Sequence, residues 1–142
     1  MKVSMRVDYG IRVLVDLAQA EGVSQTSEIA KRQGIPEPYL DQILTILRKA
    51  GFIASKRGPQ GGHVLARDPS QVSVAEVMAA LGNPSSLRCL EQPSDCVQAT
   101  LCVQRDVWRQ IDEATQKLLA AISIGEMAHQ QERRHEGGMY YI

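Results

Sequence analysis

The feature of this sequence that most constrains its fold is a glycine-rich turn that follows two short helical patterns. The turn, residues 57–62, lies between two apolar runs and predicts a two-stranded β-hairpin. Before it, Thr26 and Gly34 predict the start and the end of one short helix, and Pro38 predicts the start of a second. Two helices joined by a tight turn and followed by a hairpin are typical of a winged helix-turn-helix.

Further helices are predicted on either side of this unit. Apolar residues at helical spacing predict a first helix over about residues 5 to 20. Ser73 and Glu76 have the spacing of a capping box, which predicts a helix over about residues 74 to 82. A pattern close to a heptad repeat predicts one long helix over residues 104–130. Such a helix is roughly 40 Å long, more than a core this small can cover, so we expect a partner helix to pack against it.

The composition is that of a globular protein. With 142 residues and 44% apolar content, the chain can bury a core without the help of a metal. Its first residues contain no apolar run of signal-peptide length, and no later segment is apolar enough to span a bilayer. We therefore expect a cytoplasmic protein with no membrane partner. In a reducing cytoplasm, clustered cysteines more often bind metal or do redox chemistry than form disulfides.

Charge is unevenly distributed although the net charge is zero. Residues 1–67 hold ten Lys and Arg against six Asp and Glu, a net charge of +4, and residues 68–142 hold six against ten, a net charge of −4. A basic half predicts a polyanionic partner for that half, with an ordinary solvated surface as the alternative.

The second helix of the pair carries the candidate base-reading residues. In a helix-turn-helix, the N-terminal end of this helix enters the major groove, and here it presents Glu37, Tyr39, Asp41 and Gln42. Gln42 can form a bidentate pair with adenine, and Glu37 can accept a hydrogen bond from cytosine. Tyr39 can contact a phosphate or a thymine methyl group.

The hairpin tip carries the candidate backbone contacts. Lys56 and Arg57 offer positive charge, while Gly58, Gly61 and Gly62 let the main chain approach a phosphate or a narrow minor groove closely. The alternative is that these glycines only form a hairpin turn.

The three cysteines of the chain, Cys89, Cys96 and Cys102, lie in one short segment with little sign of regular structure. A disulfide would leave one thiol over. A tetrahedral zinc site or an iron-sulfur cluster held by protein alone would need one more ligand from elsewhere. Inert thiols remain the alternative.

Together these residues resemble the iron-sulfur winged-helix transcription regulator family of IscR and NsrR. The resemblance is carried by the segments Ser27-Glu28-Ile29-Ala30, Tyr39-Leu40-Asp41-Gln42-Ile43-Leu44, Leu47-Arg48-Lys49-Ala50-Gly51 and Arg57-Gly58-Pro59-Gln60-Gly61-Gly62. It extends to the three cysteines before a helix with Trp108-Arg109, and to Ile122-Ser123-Ile124-Gly125-Glu126. It implies a homodimer, a palindromic operator in double-stranded DNA, and an iron-sulfur cluster whose state sets the affinity for DNA.

The resemblance also bears on the fourth cluster ligand. IscR-type members supply a histidine three residues after the third cysteine, where this chain has Arg105. NsrR-type members use an aspartate from the first helix of the other subunit, and Asp8 stands at that position. Asp8 is thereby implied as the fourth ligand, with an ordinary ion pair to Arg12 as the alternative. The other candidates are His63, His129, His135, Glu91 and an exogenous thiol or water.

These observations predict a dimeric DNA-binding transcription regulator, in the first place a repressor, and not an enzyme. Its iron-sulfur cluster is expected to sense iron-sulfur status, nitric oxide or redox state, with two irons slightly favoured over four. Zinc is disfavoured because the cysteines lack the paired Cys-x-x-Cys spacing of zinc ribbons. The alternatives are a redox-active thiol or cluster-transfer protein on the same scaffold, and a protein-interaction adaptor.

The predicted fold is mainly α-helical with a small β-hairpin wing. Residues 1–82 form the winged helix-turn-helix DNA-binding domain, 83–103 the cysteine-bearing cluster loop, 104–130 a long C-terminal dimerisation helix, and 131–142 a mobile tail.

Overall fold

The computed structural model describes residues 2–82, 88–92, 94, 96–98 and 100–139. The helices are α1 (Met5–Gln19), α2 (Thr26–Gln33), α3 (Glu37–Lys49), α4 (Val74–Leu81), α5 (Arg88–Glu91), α6 (Val103–Ala121) and α7 (Ile124–Met139). Two strands, β1 (Ile53–Lys56) and β2 (Gly62–Leu65), form an antiparallel pair, and a 3-10 turn spans Pro69–Gln71. Within the described residues, every helix is too short or too polar to cross a membrane.

The predicted helix-turn-helix is confirmed, and its core contains the apolar side of α3. The buried side chains of that helix are Leu40, Ile43, Leu44 and Leu47. Gly34 ends α2 in the left-handed conformation, with φ of 63°, which glycine adopts without strain. Thr26, predicted as the cap of α2, is instead its first helical residue. The carboxylate of Glu28 accepts the hydrogen bond of the Gln25 N–H at 2.8 Å, so the cap lies one residue earlier.

The hairpin forms as predicted and is attached to the loop before α2 at a position close to its tip. Ile53 pairs with Leu65, and Lys56 pairs with Gly62 next to the tip. His63 on β2 makes a second, isolated bridge to Ser24 in the loop before α2. Its N–H donates to the Ser24 carbonyl at 2.8 Å, and its carbonyl accepts from the Ser24 N–H at 3.0 Å. The hairpin is therefore attached to the helices by main-chain hydrogen bonds.

The C-terminal part differs from the single helix predicted over residues 104–130. The helix stops at Ala121, and the extended residues Ile122 and Ser123 lie antiparallel to the segment before α4. The Val74 N–H donates to the Ile122 carbonyl at 2.9 Å, and the Ile124 N–H donates to the Val72 carbonyl at 2.8 Å. A heptad-like pattern cannot predict such a pairing, because the partner segment is about fifty residues away in sequence.

After the break, α7 returns to the body of the protein and packs against α1. Ile124 is 1% exposed and Ala128 is 5% exposed, so the start of α7 adds to the same core as α1. The hydroxyl of Ser123 caps the new helix by accepting from the Glu126 N–H at 3.0 Å. Residues 131–139, predicted as part of a mobile tail, continue this helix as far as Met139. The division into four domains stays a prediction.

Gly125 permits the close contact between α7 and the 3-10 turn. A Cβ atom at this position would lie 2.9 Å from the Ser70 backbone nitrogen and 3.0 Å from its Cα. These are backbone atoms, which cannot move aside as a flexible side chain could.

Gly125→Ala should therefore lower the free energy of unfolding by about 1–3 kcal/mol, the usual cost of overpacking. Gly137→Ala is the matched control, since it lies in the same helix with no atom within 4 Å of the added Cβ. That control should raise stability by roughly 0.5–1 kcal/mol, because alanine is the better helix former. Urea unfolding of both variants measures the two values, and a neutral Gly125→Ala would contradict the close packing.

Candidate nucleic-acid interface

The N-terminal end of α3 presents polar side chains to solvent. Glu37, Asp41 and Gln42 are exposed because the apolar side of the helix is turned towards the core. Tyr39 differs from its sequence prediction in part, since it is half-buried and its ring packs edge-on against Tyr9 of α1 at 5.7 Å. Tyr39 thus joins α3 to α1.

The tip of the hairpin is a basic, solvent-exposed turn. Lys56 and Arg57 are exposed, and Gly58 has a φ of 110°. A Cβ on Gly61 would collide with the Lys56 carbonyl, and one on Gly62 would collide with the main chain of Ser24. These glycines are therefore required by the turn and by its attachment to the helices, whatever else they contact.

The positive charges of α3 and of the hairpin lie near one another. Arg48 and Lys49 occupy the last turn of α3. The Arg48 guanidinium donates to the Ser55 hydroxyl on β1 at 3.4 Å, which places the end of α3 beside the hairpin. The polar end of α3 and the basic hairpin are thereby parts of one folded unit.

A buried carboxylate that the sequence analysis did not single out fixes α2 on α1. Asp16 is 7% exposed and accepts from Nε of Arg32 at 3.0 Å and from its Nη2 at 2.7 Å. Gln33 donates to the same carboxylate at 2.9 Å. The hydrogen bond and the charge of Asp16 raise the pKa of Arg32. The available signal was an acidic residue between the apolar residues Val15 and Leu17.

His63 is held between two hydroxyl groups. Its Nε2 lies 2.9 Å from Oγ1 of Thr26, and its Nδ1 lies 3.1 Å from Oγ of Ser55. Burial lowers the pKa of His63, and the positive charge of Arg48 lowers it further, against a smaller opposing effect of Asp41. Burial and the charge of Arg48 therefore both favour the neutral form of the ring.

The three cysteines are free thiols, each half-buried. Cys89 lies in α5 and Cys102 immediately precedes α6. The Arg105 side chain donates to the Cys89 carbonyl at 3.4 Å, so these two cysteines lie at the same end of α6. In the described part of this single chain, however, no three His, Cys, Asp or Glu side chains are grouped closely enough to hold a metal ion.

The candidates for a fourth ligand lie on other elements. Asp8 is half-exposed on α1, and its carboxylate is 3.1 Å from the Nε of Arg12, the ion pair expected as its alternative role. On α7, Nδ1 of His129 lies 3.7 Å from Oε2 of Glu132, and Nε2 of His135 lies 3.1 Å from Nε2 of Gln131. Glu91 is exposed at the end of α5. His63 is occupied by its two hydroxyl partners.

Comparison with known proteins gives consistent matches over nearly the whole chain. Residues 3–130 match the Rrf2 family, described as "Iron-dependent Transcriptional regulator". The HTH-type transcriptional regulator IscR of Xenorhabdus nematophila is 32% identical over 134 residues, which cover 93% of this chain and 82% of the relative.

Two solved structures are similar in fold. The structure of T. potens IscR superposes with a TM-score of 0.79 at 34% identity, covering 99% of this chain and 97% of the other. The structure of CymR, described as the global cysteine regulator of B. subtilis, gives a TM-score of 0.75 at 27% identity, covering 92% and 98%.

Lowering the pH should decrease the free energy of unfolding through protonation of His63. Since the folded state lowers its pKa below the ordinary 6.5, the unfolded chain takes up the proton first as the pH falls. The stability from neutral His63 is thus complete above about pH 6.5 and declines as the pH falls through the lower pKa of the folded protein.

Urea unfolding at about pH 7.5 and about pH 5 measures this loss. The free energy of unfolding should fall more for the unmodified protein than for His63→Phe, which has no imidazole to titrate. An equal fall in both proteins would show that His63 is not the titrating group.

Proposed function

Since the chain belongs to the Rrf2 family and is a transcriptional regulator, we propose that it acts as a homodimeric repressor whose affinity for a palindromic operator is set by an iron-sulfur cluster. The observation that supports DNA binding is that the polar N-terminal end of α3 and the basic hairpin belong to one folded unit, held together by hydrogen bonds. The relatives IscR and CymR are both named HTH-type transcriptional regulators, so the alternative of a redox-active thiol or cluster-transfer protein on this scaffold is not retained.

In the proposed complex, the start of α3 enters the major groove. Glu37 and Gln42 read base edges, and Tyr39 contacts a phosphate or a thymine methyl group. Lys56 and Arg57 contact the backbone or the minor groove, with Gly58, Gly61 and Gly62 giving the tip its close approach. Glycines that the fold already requires thus also serve the contact with DNA.

Gln42→Ala and Arg57→Ala should weaken DNA binding in different ways. Loss of a bidentate base contact costs about 1–3 kcal/mol and relaxes the preference at one base pair. Loss of a backbone contact weakens all duplexes alike and lowers the slope of log affinity against log salt by about 1.

The measurement is fluorescence anisotropy on a duplex that the unmodified protein selects from a random library, repeated over a salt series. Lys117→Ala is the control, because it removes an exposed cation from α6, away from α3 and the hairpin. If both variants bind every duplex as tightly as the unmodified protein does, the assignment of the reading surface is wrong.

The dimer is proposed from the surface of α6. This 19-residue helix is amphipathic, yet none of its residues is buried in the single chain. Val103 is 77% exposed, Ile111 is 53% exposed and Leu118 is 63% exposed, and they fall on one side of the helix together with Val107. An apolar stripe of this kind on a soluble chain marks an interface. Paired α6 helices would space two reading helices for successive major grooves, about 34 Å apart.

Ile111→Glu should convert the dimer to a monomer, because a carboxylate would be buried without a partner at the helix pair. Sedimentation equilibrium measures the mass. Gln116→Glu is the matched control, since it adds the same charge at an exposed position roughly 140° around the helix. An unchanged mass for Ile111→Glu would contradict a dimer formed through this stripe.

The cluster is proposed to be held by Cys89, Cys96 and Cys102 of one chain and Asp8 of the other, as a two-iron centre in preference to a four-iron one. Thiolates are the usual ligands of iron-sulfur clusters. Cys102 immediately precedes α6, and Cys89 of α5 lies at the same end of that helix. A carboxylate is a weaker ligand for such a cluster, so the iron that it holds would be open to nitric oxide or oxygen.

Mixing two inactive variants tests ligation across the dimer. Asp8→Ala and Cys96→Ala should each fail to hold a stable cluster alone. After subunit exchange, a mixed dimer has one intact site, so roughly a quarter of all sites should regain a stable cluster under random pairing. Iron and sulfide counts with visible absorption measure the recovery and distinguish two irons from four.

A mixture of Cys96→Ala and Cys102→Ala is the control, because no pairing of these chains gives three cysteines in one site. Recovery in neither mixture would contradict the role of Asp8 in the partner. Absence of iron and sulfide from the unmodified protein after anaerobic reconstitution would favour a second candidate, a thiol-based regulator. The likeness to CymR, for which a structure of an oxidized form from Staphylococcus aureus has been solved, supports that candidate.

A further inference from the structure

His63 lies where three elements of the proposed reading unit meet. Its main chain pairs with Ser24, and its Nε2 lies 2.9 Å from Oγ1 of Thr26, the first residue of α2. Its Nδ1 lies 3.1 Å from the hydroxyl of Ser55 on β1. The same hydroxyl accepts from Arg48 in the last turn of α3 at 3.4 Å. One ring thus connects the start of α2, the hairpin and, through Ser55, the end of α3.

These groups can form hydrogen bonds that all run in one direction. A guanidinium only donates, so the Ser55 oxygen accepts from Arg48, and the Ser55 hydrogen can point at Nδ1. With Nδ1 as acceptor, the neutral imidazole carries its proton on Nε2 and donates it to Thr26. Arg48, Ser55, His63 and Thr26 then form a chain of three hydrogen bonds in which each group donates to the next.

We propose that His63 is a positioning residue that sets the orientation of the hairpin relative to α2 and α3, and so the fit of the hairpin to DNA. The inference rests on the proposed function, because it assumes that the hairpin tip contacts DNA. A two-stranded hairpin is only marginally stable by itself, so its orientation must come from contacts with the rest of the protein. His63 is half-buried, lies one residue pair away from the pair next to the tip, and points to hydroxyl groups of the protein.

Breaking these side-chain hydrogen bonds leaves the main-chain bonds of β1 with β2 and of His63 with Ser24 intact, but allows the hairpin to tilt about them. DNA binding must then order the hairpin, which weakens the complex. The expected loss of affinity is about threefold to tenfold, as for a net hydrogen bond or its equivalent in ordering.

Thr26 provides the sharpest test, because it can be changed without altering the wing. Thr26→Val removes the hydroxyl at nearly constant shape, and Thr26→Ser keeps it. On the selected duplex, Thr26→Val and His63→Phe should each weaken binding by about threefold to tenfold, while Thr26→Ser binds as the unmodified protein does. Adding Thr26→Val to His63→Phe should cause no further loss of DNA affinity, since both substitutions break the same series of hydrogen bonds.

Two-bond ¹H–¹⁵N NMR spectra give a readout that mere packing would not change. In the unmodified protein, they should show the proton of His63 on Nε2. A proton on Nδ1 would overturn the proposed direction of the hydrogen bonds from Arg48 to Thr26. An additional loss for Thr26→Val in the His63→Phe background would instead assign Thr26 a direct contact with DNA and overturn the positioning role.

Arg57→Ala separates failure of this inference from failure of the proposed function. If Arg57→Ala does not weaken binding, the proposed contact of the hairpin tip with DNA fails, and the inference about His63 fails with it. If Arg57→Ala weakens binding while Thr26→Val and His63→Phe do not, only the role of His63 is refuted. Circular dichroism melting confirms that each variant is folded, and the Thr26 pair keeps the test valid if His63→Phe unfolds.

Discussion

The winged unit depends on the ion pair between Asp16 of α1 and Arg32 of α2. The carboxylate is buried and accepts two hydrogen bonds from the guanidinium and one from Gln33, so its charge is compensated on both oxygens. Without Arg32 the carboxylate would stay buried with only the hydrogen bond from Gln33, which would destabilise the packing of α2 on α1. Arg32 also donates to the Ser24 hydroxyl at 3.0 Å, and the backbone of Ser24 pairs with His63. The same few polar groups therefore set the positions of α1, α2 and the hairpin.

Local signals were sufficient for the helix-turn-helix and the hairpin. The apolar stripe of α3, the left-handed Gly34 and the glycine-rich tip each determine their structure within a few residues, and the structure confirms them. Asp16 and Arg32 are sixteen residues apart, so no local pattern could pair them. Tyr39 is half-buried for a similar reason, because only the packing of α3 on α1 brings it to Tyr9.

The break in the C-terminal helix shows how a distant partner overrides a local pattern. Apolar spacing continues across residues 122 and 123, but both residues form a short antiparallel pairing with the chain before α4. The useful local signal was Ser123 followed three residues later by Glu126, the same spacing that correctly predicted the start of α4 at Ser73 and Glu76. The candidate cluster site could be predicted only as a set of residues, since in the part of the chain that the structure describes no three His, Cys, Asp or Glu side chains are grouped closely enough to hold a metal ion.

The seating of α7 on α1 has a consequence for synthesis of the protein. The side chain of Gln19 donates to the carbonyl of Ala128 across 109 residues, and Ile124 is buried in the core that α1 shares with α3 and α4. A ribosome delivers the chain from its N-terminus, so the helices of the reading unit emerge long before the segment that completes their core. The cysteine segment and α6 are therefore already outside the ribosome when the winged unit reaches its final packing.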